Sequence, residues 1–449
     1  MIERSTAMRN QRRFVTAAVA ATTMVLAACG GDADSDETTE GTGAEGNQAD
    51  APAGEDGADL SGTLTLSGTA SDRPAVEAVI ELFEAEYPDV TVETTFADTE
   101  PYQATLRTQL TSGTAPDVFF AWPGNGNPGA VQVLAPNGFL RDLGDRPWAD
   151  SVPEGMHAVT DVDGTRYLLP MAFSGIGAIY NQAAMDEIGA AAPETWDEVL
   201  TLCQTAQDAG KVAFALGNQT NWVTQLINYA LAATNVYGAD ENFVDSMAAG
   251  DATFAGSDWV GTMEQYMQMN DAGCFQSDPL GTSYETTIDM VATGDALAVV
   301  QGTWAIALLA EQAPDGEFRL AALPATNDPN ETVMPGAPSG TFAVNAEPAE
   351  PDLALAFIDF MATPEAMNTF AETGGSLPAI PNDQYEVDPA LEELIEFQSA
   401  GRTVPFMDQL WPNPRVQEAH LTGVQEIFAG ETSIGDVLQT MDEAYAKGQ

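Results

Sequence analysis

Gly124-Asn125-Gly126-Asn127-Pro128-Gly129 spells G-x-G-x-x-G, the turn that holds a pyrophosphate when it joins a first strand to a helix. Here Trp122-Pro123 ends the strand early, Pro128 interrupts the motif, and the turn follows a third strand. It reads as a Gly/Asn/Pro loop whose backbone can come close to a ligand or a domain edge. The two histidines, His157 and His420, lie more than 260 positions apart, and neither has a second histidine or a cysteine at ligand spacing, which excludes a zinc site. A Ser-His-Asp site would need one of them, and Gly336-Ala337-Pro338-Ser339-Gly340 only approximates the G-x-S-x-G turn. Asp32-x-Asp34-x-Asp36 has Glu37 and Gly43 where a calcium loop needs glycine and glutamate. Paired carboxylates can hydrolyse glycosides, but among 68 acids a pair carries no information. The sequence therefore predicts no catalytic residue, no metal and no cofactor.

Cys29 ends Leu26-Ala27-Ala28-Cys29 after the uncharged stretch 14–28 and the basic Arg4, Arg9, Arg12 and Arg13. That order resembles a bacterial lipobox. It predicts a signal peptide over 1–28, a lipid on the Cys29 sulfur, and a body tethered to the outer face of the cytoplasmic membrane. Gly30–Asp59 has no Val, Ile, Leu or aromatic residue, no Lys or Arg, and ten acids. It cannot bury enough apolar surface to offset chain entropy and reads, with Cys29, as a disordered acidic tether over 29–59.

Cleavage after residue 28 would leave 10 basic and 67 acidic residues, a formal charge of −57. Such a surface repels nucleic acid and anionic headgroups, which excludes both as partners. About 420 residues exceed one comfortable core and predict two domains. Cys203 and Cys274 are an even pair in an oxidising exterior; the sequence leaves open whether they are joined or free.

From Leu60 the pattern is α/β. Leu64–Ser67, Val90–Val92 and Asp117–Ala121 read as strands, and Arg73-Pro74 opens a helix carrying Val76, Val79, Ile80 and Phe83. Tyr102–Ser112 is a second helix, stopped by Gly113. Further on, helices are expected over 194–209, 220–233, 351–361, 416–428 and 434–446, and strands over 296–300 and 318–323.

Ser112-Gly113-Thr114-Ala115-Pro116-Asp117-Val118-Phe119-Phe120, then Leu169-Pro170 with Ile179-Tyr180-Asn181, then Gly302-Thr303-Trp304-Ala305, then 318–324 with 335–345, then 406–416 around Trp411, follow in an order that resembles the extracellular solute-binding proteins of ABC sugar importers, the maltose-binding-protein-like group. The resemblance covers Leu60 to the C-terminus. It implies a two-lobed periplasmic-binding-protein-like α/β fold of type II, three hinge crossings, and a ligand cleft that closes by hinge motion. It places the N-terminal lobe at 60–172 plus 323–340 and the C-terminal lobe at 173–322 plus 341–449. The implied role is not enzymatic. A monomer, anchored through Cys29, would capture a neutral sugar, an oligosaccharide, for the membrane-spanning subunits of an ABC permease; the alternatives are the same fold binding a polyamine, glycerol-phosphate or peptide, or a lipoprotein glycoside hydrolase.

Sugars offer apolar C–H faces to aromatic rings and hydroxyls to polar side chains. Trp122, Trp222, Trp304 and Trp411 stand in polar, turn-rich surroundings and are the expected cleft aromatics, whereas Trp148, Trp196 and Trp259 are assigned to core. Asp72 is expected either to accept a hydroxyl or to cap the following helix. Asn125, Asn218 and Ser339 are further polar candidates, with Glu100 and Arg73 weaker ones, and Asp117 is assigned to structure.

Overall fold

A computed structural model describes residues 60–448; the leader, Cys29 and the acidic segment lie outside the described residues. Strand β1 (Gly62–Thr69) turns Leu64 and Leu66 inward, and its last four residues are buried. It lies between β2 (Val90–Ala97) and β3 (Val118–Phe120), parallel to both. β2 is an edge, and of its residues only Val90 and Val92 are buried. The helix Arg73–Glu86, with Pro74 in its first turn, covers this sheet with Val76, Val79, Ile80 and Phe83. The helix Thr99–Ser112 ends at Gly113, whose φ of 69° suits a residue without a Cβ.

Strands β4 (Asp161–Val162) and β5 (Thr165–Arg166) form a small ribbon before β6 (Leu169–Asn181), thirteen consecutive buried residues. Its first half pairs antiparallel with a later strand at Gly175↔Gly336 through Leu169↔Phe342. Its second half leaves that partner. It pairs instead with β8 (Ala296–Gly302) and β9 (Phe318–Ala321), while β7 (Val212–Ala215) adds parallel to β8. One strand thus belongs to two lobes, and so does its partner β10 (Met334–Val344), whose far end pairs with β3. The third passage returns through β11 (Leu377–Pro378) on β6 and β12 (Thr403–Val404) on β10.

The direction of β10 corrects two of the expected lobe boundaries. Thr326, expected in the first lobe, accepts from the Trp196 amide at 2.9 Å, and Ala325 accepts from Gln265 at 2.8 Å, both in the second lobe. Conversely the helices Pro351–Met361 and Pro364–Gly374, expected in the second lobe, cover the first. Phe357 packs edge-on against Phe83 at 4.9 Å, and Asp359 accepts from Arg146 and Trp148. Asp117 is structural as expected: its carboxylate takes the Thr65 amide at 2.9 Å and the Ala349 amide at 2.5 Å, tying β1 to the entry of the first of these helices.

The expected helices at 351–361 and 434–446 have those bounds. The 220–233 segment is instead a 3-10 turn (Asn221–Gln225), a short α-helix (Leu226–Ala232) and a π-turn (Ala233–Gly238). Cys203 and Cys274 are joined, linking helix Trp196–Asp208 to the loop after helix Trp259–Asp271. Closing a 71-residue separation restricts the unfolded chain by about 4 kcal/mol.

Candidate functional site

A cavity of about 1070 Å³, counting its open mouth, lies where β6 and β10 pass between the lobes. The first lobe supplies the turn after β1 (Thr69, Ser71, Asp72), the start of helix Thr99–Ser112 (Thr99, Glu100, Gln103) and the end of β3 (Phe120, Trp122, Asn127). The second supplies Asn221, Trp222, Gln225 and Tyr229 from one helical segment, Trp304 after β8, and Phe406, Asp408, Gln409 and Gln417 near the C-terminal end. Ile176 and Pro338–Gly340 of the crossing strands form the floor.

Three of the four expected tryptophans line it, each half-buried. Trp122 is braced edge-on by Phe120 at 4.6 Å, Trp222 by Tyr284 at 4.9 Å, and Trp304 by Phe406 at 6.3 Å. Such bracing fixes each indole so that little rotamer entropy remains to be lost on binding. Gly302 has a specific duty here: a Cβ at that position would run into the Trp304 ring.

Trp411 does not reach the cavity. It is 3% exposed and packs between Trp259, Phe254 and Tyr229, a core position that its Pro/Asn flanks concealed. Asn218 is fully buried, exchanging hydrogen bonds with the Tyr266 hydroxyl, and is also core. Asn125 misses the wall as well. Its amide donates to the Pro412 carbonyl at 2.5 Å, fastening the glycine-rich loop of the first lobe onto the second. That loop leads into a four-residue helix, Val131–Leu134, and packs on Asp408 and Gln409. Arg73 is exposed with its guanidinium over the Phe96 ring at 5.0 Å, away from the cavity. Ser339 lies on the wall, its hydroxyl 2.5 Å from that of Ser174, and Glu100 is on the wall too. Trp148, Trp196 and Trp259 are buried as expected.

Asp72 resolves its two expectations. It makes no capping bond to the helix that follows. Its carboxylate accepts from the Thr69 hydroxyl and borders the cavity, where burial pushes it up to about 6 against that hydrogen bond.

The amide-rich wall of the second lobe was not anticipated. Gln417 donates to both Gln225 Oε1 and Asp408 Oδ2 at 3.1 Å. Asp408 is 8% exposed, and burial pushes its carboxyl up to about 6, offset in part by the neighbouring Tyr229 hydroxyl. That hydroxyl lies beside Asp408 and Gln417, and Gln409 Oε1 is buried without a partner. Behind them His420, fully buried, stacks on Tyr229 and contacts Asn228 at 2.9 Å; burial holds it down to about 3, hence neutral. The only sequence signal for Asp408 and Gln409 was their place beside Trp411, and for Gln225 its place one turn beyond Trp222.

Two lobes and three passages leave between them an open-mouthed cavity lined by aromatic and amide side chains. The family model described as bacterial extracellular solute-binding protein matches residues 66–368. The chain belongs to that family. Curated relatives include the multiple sugar-binding protein of Streptococcus mutans, 22% identical over 75% of this chain and 79% of that one, and the melibiose/raffinose/stachyose-binding protein MelE of Bacillus subtilis, 21% identical over 86% and 89%. Among solved structures, SBP RafE in complex with raffinose has a TM-score of 0.72 at 22% identity, covering 86% of this chain and 100% of that one. An extracellular solute-binding protein is not an enzyme. In this solute-binding protein Trp122 and Asp72 line the cavity from one lobe, and Trp222, Trp304 and Asp408 from the other.

Proposed function

We propose that this solute-binding protein captures a sugar of oligosaccharide size and delivers it to an ABC permease, held at the outer face of the membrane by a lipid on Cys29. The observation that carries the sugar reading is the combination around one cavity of Trp122, Trp222 and Trp304 with a set of amide side chains. Flat C–H faces suit the indoles, and part of the 150–250 Å² of each ring, at about 25 cal/mol/Å², contributes roughly 1–2 kcal/mol. Amides both donate and accept, so they match hydroxyls, which do the same. A micromolar Kd corresponds to about −8 kcal/mol, within reach of three rings and a few hydrogen bonds. The relatives, named as sugar-binding proteins, support the same reading. The Leu26–Cys29 segment supports the anchor and the export route.

A thermal-shift screen against neutral and amino oligosaccharides tests the reading, since a ligand at 100 times its Kd stabilises the folded form by about 2.7 kcal/mol. With a hit in hand, Trp304→Ala should weaken binding at least tenfold by calorimetry while the circular dichroism spectrum stays unchanged. Undiminished affinity would remove Trp304 from the site, and a screen with no hit among sugars would refute the reading.

A further inference from the structure

Among the described residues, the cavity wall bears three carboxylates, Asp72, Glu100 and Asp408, and no lysine, arginine or histidine. None of the ion pairs among the described residues reaches it. The acids come from both lobes, so closure brings negative charge toward negative charge in a space that excludes much of the water. A neutral solute can donate hydroxyls to these groups but leaves the charge in place. A cation removes it, and carboxylate to ammonium is the stronger, charge-assisted form of the hydrogen bond. Indole faces favour a cation as well.

A buried polar atom at the same wall points to a ligand independently of the acids. Gln409 Oε1 has no hydrogen-bond partner, on a residue 6% exposed. Leaving such a group unmade is costly, and a solute rich in donors would complete it. A linear polyamine has no acceptors to offer the amide N–H groups of Gln103 or Gln409, whereas a sugar ring has.

We propose that the solute is an amino sugar oligosaccharide, with a protonated amine seated against Asp408 and the remaining rings on the tryptophans. This rests on the sugar reading given above and narrows it. Asp408 is the favoured seat because it is the most enclosed of the three acids, with Gln417 holding one carboxylate oxygen at 3.1 Å and Tyr229 beside it.

Calorimetry at pH 7.5 on the full chain would compare oligomers of glucosamine and galactosamine with matched glucose, galactose and N-acetylated oligomers, and with spermidine. An amine-bearing oligomer binding at least tenfold more tightly than its neutral and acetylated counterparts is the expected result. Asp408→Asn should lower affinity for the amine-bearing oligomer by a factor at least tenfold larger than for its neutral counterpart, and equal losses for the two would overturn the seat at Asp408. Neutral oligomers binding as tightly as amines would overturn the proposal and leave the sugar reading standing. No amine-bearing oligomer binding would overturn it too, and spermidine binding with no sugar bound would sink both.

Discussion

Asp408→Asn should stabilise the ligand-free protein. The Asp408 carboxyl is 8% exposed, and burial carries it from an ordinary 3.8 up to about 6. The folded state therefore holds this proton more tightly than the unfolded state does. Between about pH 4 and 6 the unfolded chain binds fewer protons, so the contribution of this group to stability is full below pH 4 and is lost as pH rises to 6. Above that the native protein carries a buried charge costing about 3 kcal/mol, from roughly two pKa units at 1.36 kcal/mol each. Asparagine keeps an oxygen for Gln417 and carries no charge at any pH. With about 2.1 cal/mol/K of unfolding entropy per residue over roughly 390 residues, the relief amounts to a Tm increase of about 4 °C at pH 7.5. At pH 4 the two proteins should melt together. Differential scanning calorimetry across pH 4 to 8 is the assay. Equal Tm values at pH 7.5, or a difference that persists undiminished at pH 4, would refute the argument that an uncompensated charge is kept in the cavity. A stabilising loss of an acid at a binding wall is the expected signature of a group retained for its ligand rather than for the fold.

Two further outcomes separate the binding wall from the core. Gly126→Ala places a Cβ 2.7 Å from the Asp408 Cβ and 2.8 Å from its backbone oxygen, so the loop of the first lobe can no longer seat on the second. Affinity should fall tenfold or more, and small-angle scattering at saturating solute should show a more open molecule; wild-type affinity would mean that this contact is not needed for closure. Trp411→Ala should do the opposite of Trp304→Ala: urea unfolding should show a loss of about 3–5 kcal/mol from an emptied core site, with the affinity of the folded protein within a few-fold of wild type.

The half-buried and the fully buried tryptophans show where sequence reading stopped. Trp122, Trp222 and Trp304 each follow a strand or open a helical segment, and in an α/β fold such positions face the cleft, so local order sufficed. Trp411 has equally polar flanks, yet its ring turns inward because the helices Pro414–Ala429 and Ile434–Ala446 pack over it, a contact made by distant segments. Asp408, Gln409 and Gln417 carry no motif; they become a wall only when the C-terminal segment folds against helix Leu226–Ala232 and the glycine-rich loop.

Periodicity and turn chemistry, which act over a few residues, determined from sequence alone the strands β1 to β3 and the helices at Arg73–Glu86, Pro351–Met361 and Ile434–Ala446. Composition alone argues against nucleic acid as a partner, because charge is a sum and needs no geometry. Tertiary structure decided the rest. Which lobe owns the helices after β10 depends on the direction in which a strand buried on both faces runs between two sheets, and an unbroken apolar run is the same read toward either lobe. Whether Cys203 meets Cys274, and whether an acid ends in water or in a cleft without a counter-ion, likewise depends on which remote segments become neighbours.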